Sequence, residues 1–224
     1  MPHKRKDLKI KGTNLWYLVG LITSDGSLSC DGRHINITSK DFIFLKELKN
    51  TLGLINKVGT KNKNKINQAY QIQFSNVRFY DFLLSIGLTQ NKSLTLGAIE
   101  VPNQHFIDFL RGLIDGDGSI RRWIHPTNNR EQWSLRIYSG SEKFVKWLDG
   151  AITLLLRVHG KIHKERTTKT KWVLKYGKMA AREIAKKCYY KHALGLKRKM
   201  KLAQECIVSY RGWQKSKTVF GENN

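Results

Sequence analysis

The sequence predicts an α+β fold made of two similar halves, and three observations carry that prediction. The nine residues Leu18 to Gly26 read LVGLITSDG, and Leu110 to Gly118 read LRGLIDGDG, so one apolar helical run ending in Asp-Gly occurs twice, nearly half the chain apart. Internal repetition of this kind sets the architecture before any local reading does. Behind each copy the same order of alternating and helical patterns follows. Finally, 41 Lys+Arg stand against 17 Asp+Glu, a formal charge of +24 in 224 residues, which points to a polyanionic partner.

The elements follow in order. After the first Asp-Gly, Ser27 to Cys30 and Arg33 to Ser39 form a hairpin around Asp31-Gly32. In its second arm Ile35 and Ile37 alternate with His34, Asn36 and Thr38. Asp41 is placed to cap a helix with Phe42, Leu45, Leu48 and Leu52 on its apolar positions, and Gly53 ends it. Lys57 to Lys65 is a lysine-rich ribbon and turn. Tyr70, Ile72 and Phe74 then alternate with Gln71, Gln73 and Ser75 as a strand. A short helix over about Val77 to Ile86 closes the first half.

The second half repeats this order. A helix over 104–116 leads into a strand, Ser119 to Ile124, and a polar turn, Pro126 to Glu131. The strand Gln132 to Ser139 has Trp133, Leu135 and Ile137 on its apolar face. Ser141 caps a helix carrying Phe144, Val145, Leu148, Ile152 and Leu155. Strands at Lys161–Thr167 and Lys171–Tyr176, a helix over 178–188 and another over Leu194 to Val208 complete it. Each half is thus helix–hairpin–helix–hairpin–helix. The expected division is a first half over 12–88, a linker over 89–103, a second half over 104–208 and a tail over 209–224.

Charge and composition narrow the function. No stretch approaches the ~20 apolar residues of a membrane-spanning helix. The basic segment Met1 to Lys11 lacks the apolar region of a signal peptide. No membrane partner is expected, and the location is cytoplasmic, in a prokaryote, or organellar. Cys30, Cys188 and Cys206 have no metal-binding spacing and read as idle thiols in a reducing compartment. His159 and His163 lack further ligands nearby for a zinc site.

An antiparallel sheet with one face on the core shows its other face to solvent. Here those free faces carry Asn36, Gln71, Gln73, Arg121, Ser134, Arg136, Lys171 and Lys175. Amides and guanidinium groups make paired hydrogen bonds to base edges in the major groove, which admits a β-ribbon. Lys57, Lys61, Lys63 and Lys65 extend one sheet; Lys161, Lys164, Arg166, Lys169 and Lys171 extend the other. They suit phosphate contacts, which position a protein without reading sequence. A solvated polar face is the plain alternative for any one of them, but ordinary surfaces mix both charge signs.

The motif itself carries the chemistry. Glycine inside a helix costs roughly 1 kcal/mol relative to alanine, and a close helix–helix crossing justifies Gly20 and Gly112. Gly26 and Gly118 suit the left-handed position that ends a helix. Asp25 and Asp117 just before them face the negative end of the helix dipole, and brought together they repel. A divalent cation resolves both problems. It also activates water and stabilises charge on a phosphate being cut.

These two motifs, their order and the surrounding pattern resemble a single-chain LAGLIDADG homing endonuclease over nearly all of residues 12–208. The resemblance implies two pseudo-symmetric αββαββα halves, with the motif helices at their interface and antiparallel sheets forming a saddle over DNA. It implies Mg2+-dependent cleavage of both strands across the minor groove, leaving short 3′ overhangs, with Mn2+ or Ca2+ able to substitute for binding. The target would be long double-stranded DNA, pseudo-palindromic or asymmetric, bound by a monomer. By motif position Asp25 and Asp117 are the catalytic metal-binding acids, beside the backbone of Ser24 and Gly116. Family members place a polar side chain at the end of the second strand, and Ser39 and Ser139 are the nearest matches. They also use a supporting lysine: Lys92 for the first motif, and one of Lys197, Lys199 and Lys201 for the second, with Lys199 chosen. The first motif departs from the pattern by having Thr23 where the second keeps Asp115. The expected function is a sequence-specific, intron-encoded DNA endonuclease. An RNA maturase with intron RNA as partner is the alternative, and a transcription regulator of the same fold is a third reading. The intact pair of acids favours the nuclease.

Overall fold

The computed structural model describes residues 10–61, 68–166 and 170–209. Lys63, Lys65 and Lys169, expected as phosphate contacts, lie outside them. The first half contains α1 (Gly12–Asp25), β1 (Gly26–Leu28), β2 (His34–Ser39), α2 (Phe42–Thr51), β3 (Gly59–Lys61), β4 (Ala69–Ser75) and α3 (Val77–Ser85). The second contains α4 (Phe106–Asp117), β5 (Gly118–Ile124), β6 (Glu131–Ser139), α5 (Glu142–Leu156), β7 (Lys161–Arg166), β8 (Thr170–Tyr176), α6 (Lys178–Cys188) and α7 (Lys197–Val208). Each half has a four-stranded antiparallel sheet, in the order β1-β2-β4-β3 and β5-β6-β8-β7. The fold class is α+β, as the repeats predicted.

Local chemistry sets the helix starts. The carboxylate of Asp41 accepts from the Phe44 amide at 2.9 Å, Asn76 caps α3 through the Phe79 amide at 2.9 Å, and Ser141 caps α5 through the Phe144 amide at 3.3 Å. The turn at Asp31-Gly32 has its glycine at φ 72°, and Asp31 accepts from the amides of Arg33 and His34.

α1 and α4 form the centre. Every residue of α1 from Trp16 to Thr23 is buried, and α4 is buried from Phe106 to Asp115 apart from Ile107, which is partly buried. Such all-round burial reflects helices held between their own sheet and each other. A Cβ on Gly20 would overlap the Phe109 carbonyl oxygen and lie 2.9 Å from its carbon. One on Gly112 would overlap the Tyr17 carbonyl oxygen and lie 2.7 Å from the Leu21 nitrogen. The two backbones are in direct contact at this crossing.

The connecting segment is packed rather than loose. Leu88, Leu96 and Ile99 are buried in the core. The Leu96 carbonyl accepts from the Ser141 hydroxyl at 2.5 Å, and the Ser93 carbonyl lies against Gly140.

Gly26 and Gly118 were expected in the left-handed region and are not there. Both are extended, at φ −96° and −86° with ψ 162°. Glycine is required there by space: a Cβ would stand 2.6 Å from the Cα of Ile22 or of Ile114. The chain therefore passes straight from helix into strand. Among the described residues no helix is long and apolar enough to cross a membrane, and Cys30, Cys188 and Cys206 are free thiols.

Candidate nucleic-acid interface and active centre

The close crossing of α1 and α4 carries both helix ends to one place, and with them Asp25 and Asp117. Both side chains are exposed, so solvent and a substrate can reach them. Protein still surrounds the carboxyls. Restricted hydration is the main cause that raises the Asp25 pKa from 3.8 to about 6, and the charge of Asp117 is the next. Asp117 is raised as well, again chiefly by desolvation. The second helix end is bared at Gly116. A Cβ there would overlap the Ser24 hydroxyl and lie 3.3 Å from Oδ2 of Asp25. The motif thus has Ser24 in one copy and Gly116 in the other because only one side chain fits at the join.

Two buried lysines complete the centre. Lys92 donates to the carbonyl of Gly26, beside the first acid. Lys199 donates to the carbonyls of Ile114 and Asp115, both at 2.6 Å, and of Gly116 at 3.1 Å. These carbonyls close the last turn of α4, where that of Ile114 also accepts from the Gly118 amide, and an ammonium there meets the negative end of the dipole. Burial lowers the pKa of each lysine to about 8, while the nearby carboxylates oppose that shift. Of the three lysines at the start of α7, only Lys199 is buried at the motif. Lys197 instead pairs with Glu47 at 2.5 Å, and Lys201 is exposed.

The donor set fits a divalent cation. Two carboxylates and the terminal carbonyls of Ser24 and Gly116 are hard oxygen donors of the kind Mg2+ and Ca2+ take. The mutual repulsion raising Asp25 is what a cation between the two acids would relieve. Among the described residues there is no cluster of three or more His, Cys, Asp or Glu that could hold a metal. Such an ion would be held by this pair of acids and the two carbonyls.

The position aligned with Asp115 shows how the halves differ. Asp115 is buried and accepts from the hydroxyls of Tyr17 at 2.9 Å and Tyr189 at 2.8 Å and from the Leu196 amide at 2.8 Å. It thereby ties α4 to the segment that delivers Lys199. Thr23, its counterpart, turns its hydroxyl onto its own helix at the Val19 carbonyl, 2.7 Å away. Beside Asp115, the fully buried Arg111 pairs with Asp108 at 2.8 Å, donates to the carbonyls of Leu194 and Cys188, and lies between the rings of Tyr17 and Tyr190. Sequence reading missed this network. Two charged residues and an aspartate inside an otherwise apolar helix were the available signal.

No family model matches the chain, and no curated relative does. Solved structures match it across most of its length. The I-SmaMI meganuclease bound to uncleavable DNA superposes with a TM-score of 0.61 at 14% identity, covering 90% of each chain. I-DmoI in complex with DNA and Ca gives 0.58 at 18%, covering 86% of this chain and 97% of the other. Full-length DUF199/WhiA from Thermatoga maritima gives 0.55 at 16%, covering 94% and 69%. This is the LAGLIDADG fold. At such identities the likeness is one of architecture.

In the LAGLIDADG frame the remaining expected residues divide by strand parity. Gly26 pairs with Ile37 and Gly118 with Ile137, which fixes the faces. Asn36, Gln71 and Gln73 share the face away from the core in the first sheet, with Lys61 exposed at its rim. Arg136, Lys171 and Lys175 do so in the second, with exposed Arg121 on the β5–β6 extension. Lys171 is close enough to act on the charge of Asp117. Ser134 has the same parity but is fully buried, so it is not on the accessible surface. Lys164 is opposite Trp172 with its ammonium 5.2 Å from that ring, which puts it on the other face; the backbone of Arg166 pairs with Thr170 at the end of the strand. Ser39 and Ser139 fall on the core-side parity of Ile37 and Ile137, and their hydroxyls accept from the amides of Asp41 and Ser141 at 3.1 Å. They shape the entries to α2 and α5. Thr38 and Tyr138 are the residues of those strand ends on the free face.

Proposed function

We propose that the chain is a sequence-specific double-strand DNA endonuclease that cuts by divalent-metal-dependent phosphodiester hydrolysis. The observation that carries the reading is the meeting of Asp25 and Asp117 at paired helix ends, flanked by Lys92 and Lys199. Two acids at one junction suit two cuts, one per strand. Asp25, Asp117 and the carbonyls of Ser24 and Gly116 would hold Mg2+, with Mn2+ or Ca2+ able to replace it for binding. When bound, the ion supplies an activated water and neutralises charge on the scissile phosphate. The chain's own residues do the rest. Lys92 and Lys199 keep positive charge beside the acids and fix the ends of the motif helices. Asp115 and Leu196 position Lys199. Arg136, Lys171, Lys175 and the amides of the first sheet orient the duplex. A charge of +24 holds it.

The unlike motifs suit an asymmetric target, bound by a monomer whose gene lies in an intron. The product would carry short 3′ overhangs. The test is incubation of the purified protein with plasmids bearing randomised inserts in Mg2+, with sequencing of cut ends. Linear products should appear for a recurring site and vanish in Asp25→Asn and Asp117→Asn. Cleavage by both variants at the parent rate would overturn the assignment. The basic sheet faces alone, without use of the two acids, give a second reading as a DNA-binding protein without cleavage. It predicts a selected site that is bound but never cut. Splicing of a host intron stimulated by the uncut protein would mark a maturase instead.

A further inference from the structure

Asn36 and Arg136 occupy the same place in the two halves. Asn36 pairs with Ser27 on one side and Gln73 on the other, and Arg136 pairs with Ser119 and Lys175. Among the described residues each leaves a buried polar atom without a hydrogen-bond partner: Oδ1 of Asn36 and Nε of Arg136. A buried polar atom left unpaired costs stability unless something else satisfies it. Their surroundings differ. In the first sheet Nδ2 of Asn36 donates to Oε1 of Gln71 at 3.3 Å, which fixes an amide pair beside the exposed Gln73. In the second, Val173 stands where Gln71 does, and a cleft of about 290 Å3 opens between Arg136, His163, Glu165, Val173 and Lys175.

We propose that these equivalent positions read different base pairs, adenine in the half-site under the first sheet and guanine in the half-site under the second. The inference rests on the DNA-binding reading above and deepens it. Asn and Gln match the donor–acceptor edge of adenine, whereas Arg and Lys match the two acceptors of guanine. The open cleft leaves Arg136 without a fixed neighbour, ready for a base edge. Glu165 in that cleft disfavours a phosphate and accepts from the amino group of the paired cytosine. The first sheet has no carboxylate or guanidinium at the corresponding pair.

The full chain would be incubated with randomised duplexes in Ca2+, and the retained DNA sequenced. The expected site has adenine and guanine at positions symmetric about its centre, each preferred at least about tenfold. Asn36→Arg with Gln73→Lys should turn the first position to guanine. Arg136→Asn with Lys175→Gln should turn the second to adenine, with the rest of the site unchanged. If a double variant does not fold, Gln73→Lys or Lys175→Gln alone should move the same position in the same direction. Variants that weaken binding equally for all sequences, or that keep the parent's preference, would overturn the inference by showing phosphate contact only. A selected site with flat preference at these positions overturns this inference alone. Failure of the parent chain to retain any duplex overturns the proposed function as well.

Discussion

Replacing Gly20 by alanine tests the helix crossing directly. In an isolated helix the change would stabilise by roughly 1 kcal/mol. At the crossing the new methyl would overlap the Phe109 carbonyl oxygen and lie 2.9 Å from its carbon, where ordinary contact begins at 3.4 Å. The oxygen is nearer than the carbon, so the backbones must part by well over ~0.5 Å, and no flexible side chain can absorb it. Overpacking of a rigid core costs about 1–3 kcal/mol, and an overlap with backbone belongs at the upper end, so Gly20→Ala should lose about 2 kcal/mol net. Gly112→Ala meets the Tyr17 carbonyl and the Leu21 nitrogen and should behave alike. Gly150 in α5 is the control, since it is exposed and a Cβ there meets nothing within 4 Å. Gly150→Ala should gain up to ~1 kcal/mol. Urea unfolding of the three variants reads the differences. If Gly20→Ala gains stability as Gly150→Ala does, the backbones do not touch and the account of the junction fails.

Other perturbations follow the charges. Asp25 is raised above its unfolded value, so the folded state binds extra protons between about pH 4 and 6, and stability from this site is lost as pH rises through that window. Asp117→Asn should therefore melt higher than the parent without metal, by on the order of 1 kcal/mol after solvent screening. The gap should widen from pH 4 to 7; a gap constant with pH refutes the repulsion. Asp108→Leu leaves the fully buried Arg111 without its carboxylate and should cost about 3–5 kcal/mol, with much of it recovered when Arg111→Met is added. A double mutant no more stable than the single one would refute that pairing. Lys199→Met strips three carbonyls of a donor and should destabilise by about 1–3 kcal/mol, more than Lys92→Met, which strips one. Both should bind DNA in Ca2+ yet cut roughly a hundredfold more slowly in Mg2+; unchanged cleavage by either would remove that lysine from the centre.

The repeat, the strand alternation and the caps at Asp41 and Ser141 were legible because they are local. The glycines of the crossing were legible too, since their internal helical cost needs a reason. Parity was harder. Whether Lys164 sits with Lys171 or against it depends on where a strand starts, and one residue reverses its face. Ser39 and Ser139 look like free hydroxyls until the turns into α2 and α5 claim them. Gly26 and Gly118 illustrate a different gap: the need for glycine was visible, but its cause is the neighbouring Ile22 and Ile114 backbone rather than a left-handed turn. Apart from the Asp108 carboxylate that pairs with Arg111 on the same helix, the partners of Asp115 and Arg111 lie 74 to 98 residues away in sequence, where no local pattern identifies them.

The seating of the connecting segment bears on how such a chain could have arisen. Lys92 belongs to the stretch between the halves and reaches the first motif, while its neighbours Ser93 and Leu96 are pinned against Gly140 and Ser141 of the second. The counterparts of those two residues in the first half are Lys40 and Asp41. A lysine side chain would collide where Gly140 admits the Ser93 carbonyl, and a carboxylate cannot donate to the Leu96 carbonyl. Two copies of the first half, paired with each other, would leave both their lysines unanchored. A homodimer of the first half would thus lack the seat that Gly140 and Ser141 give the stretch carrying Lys92.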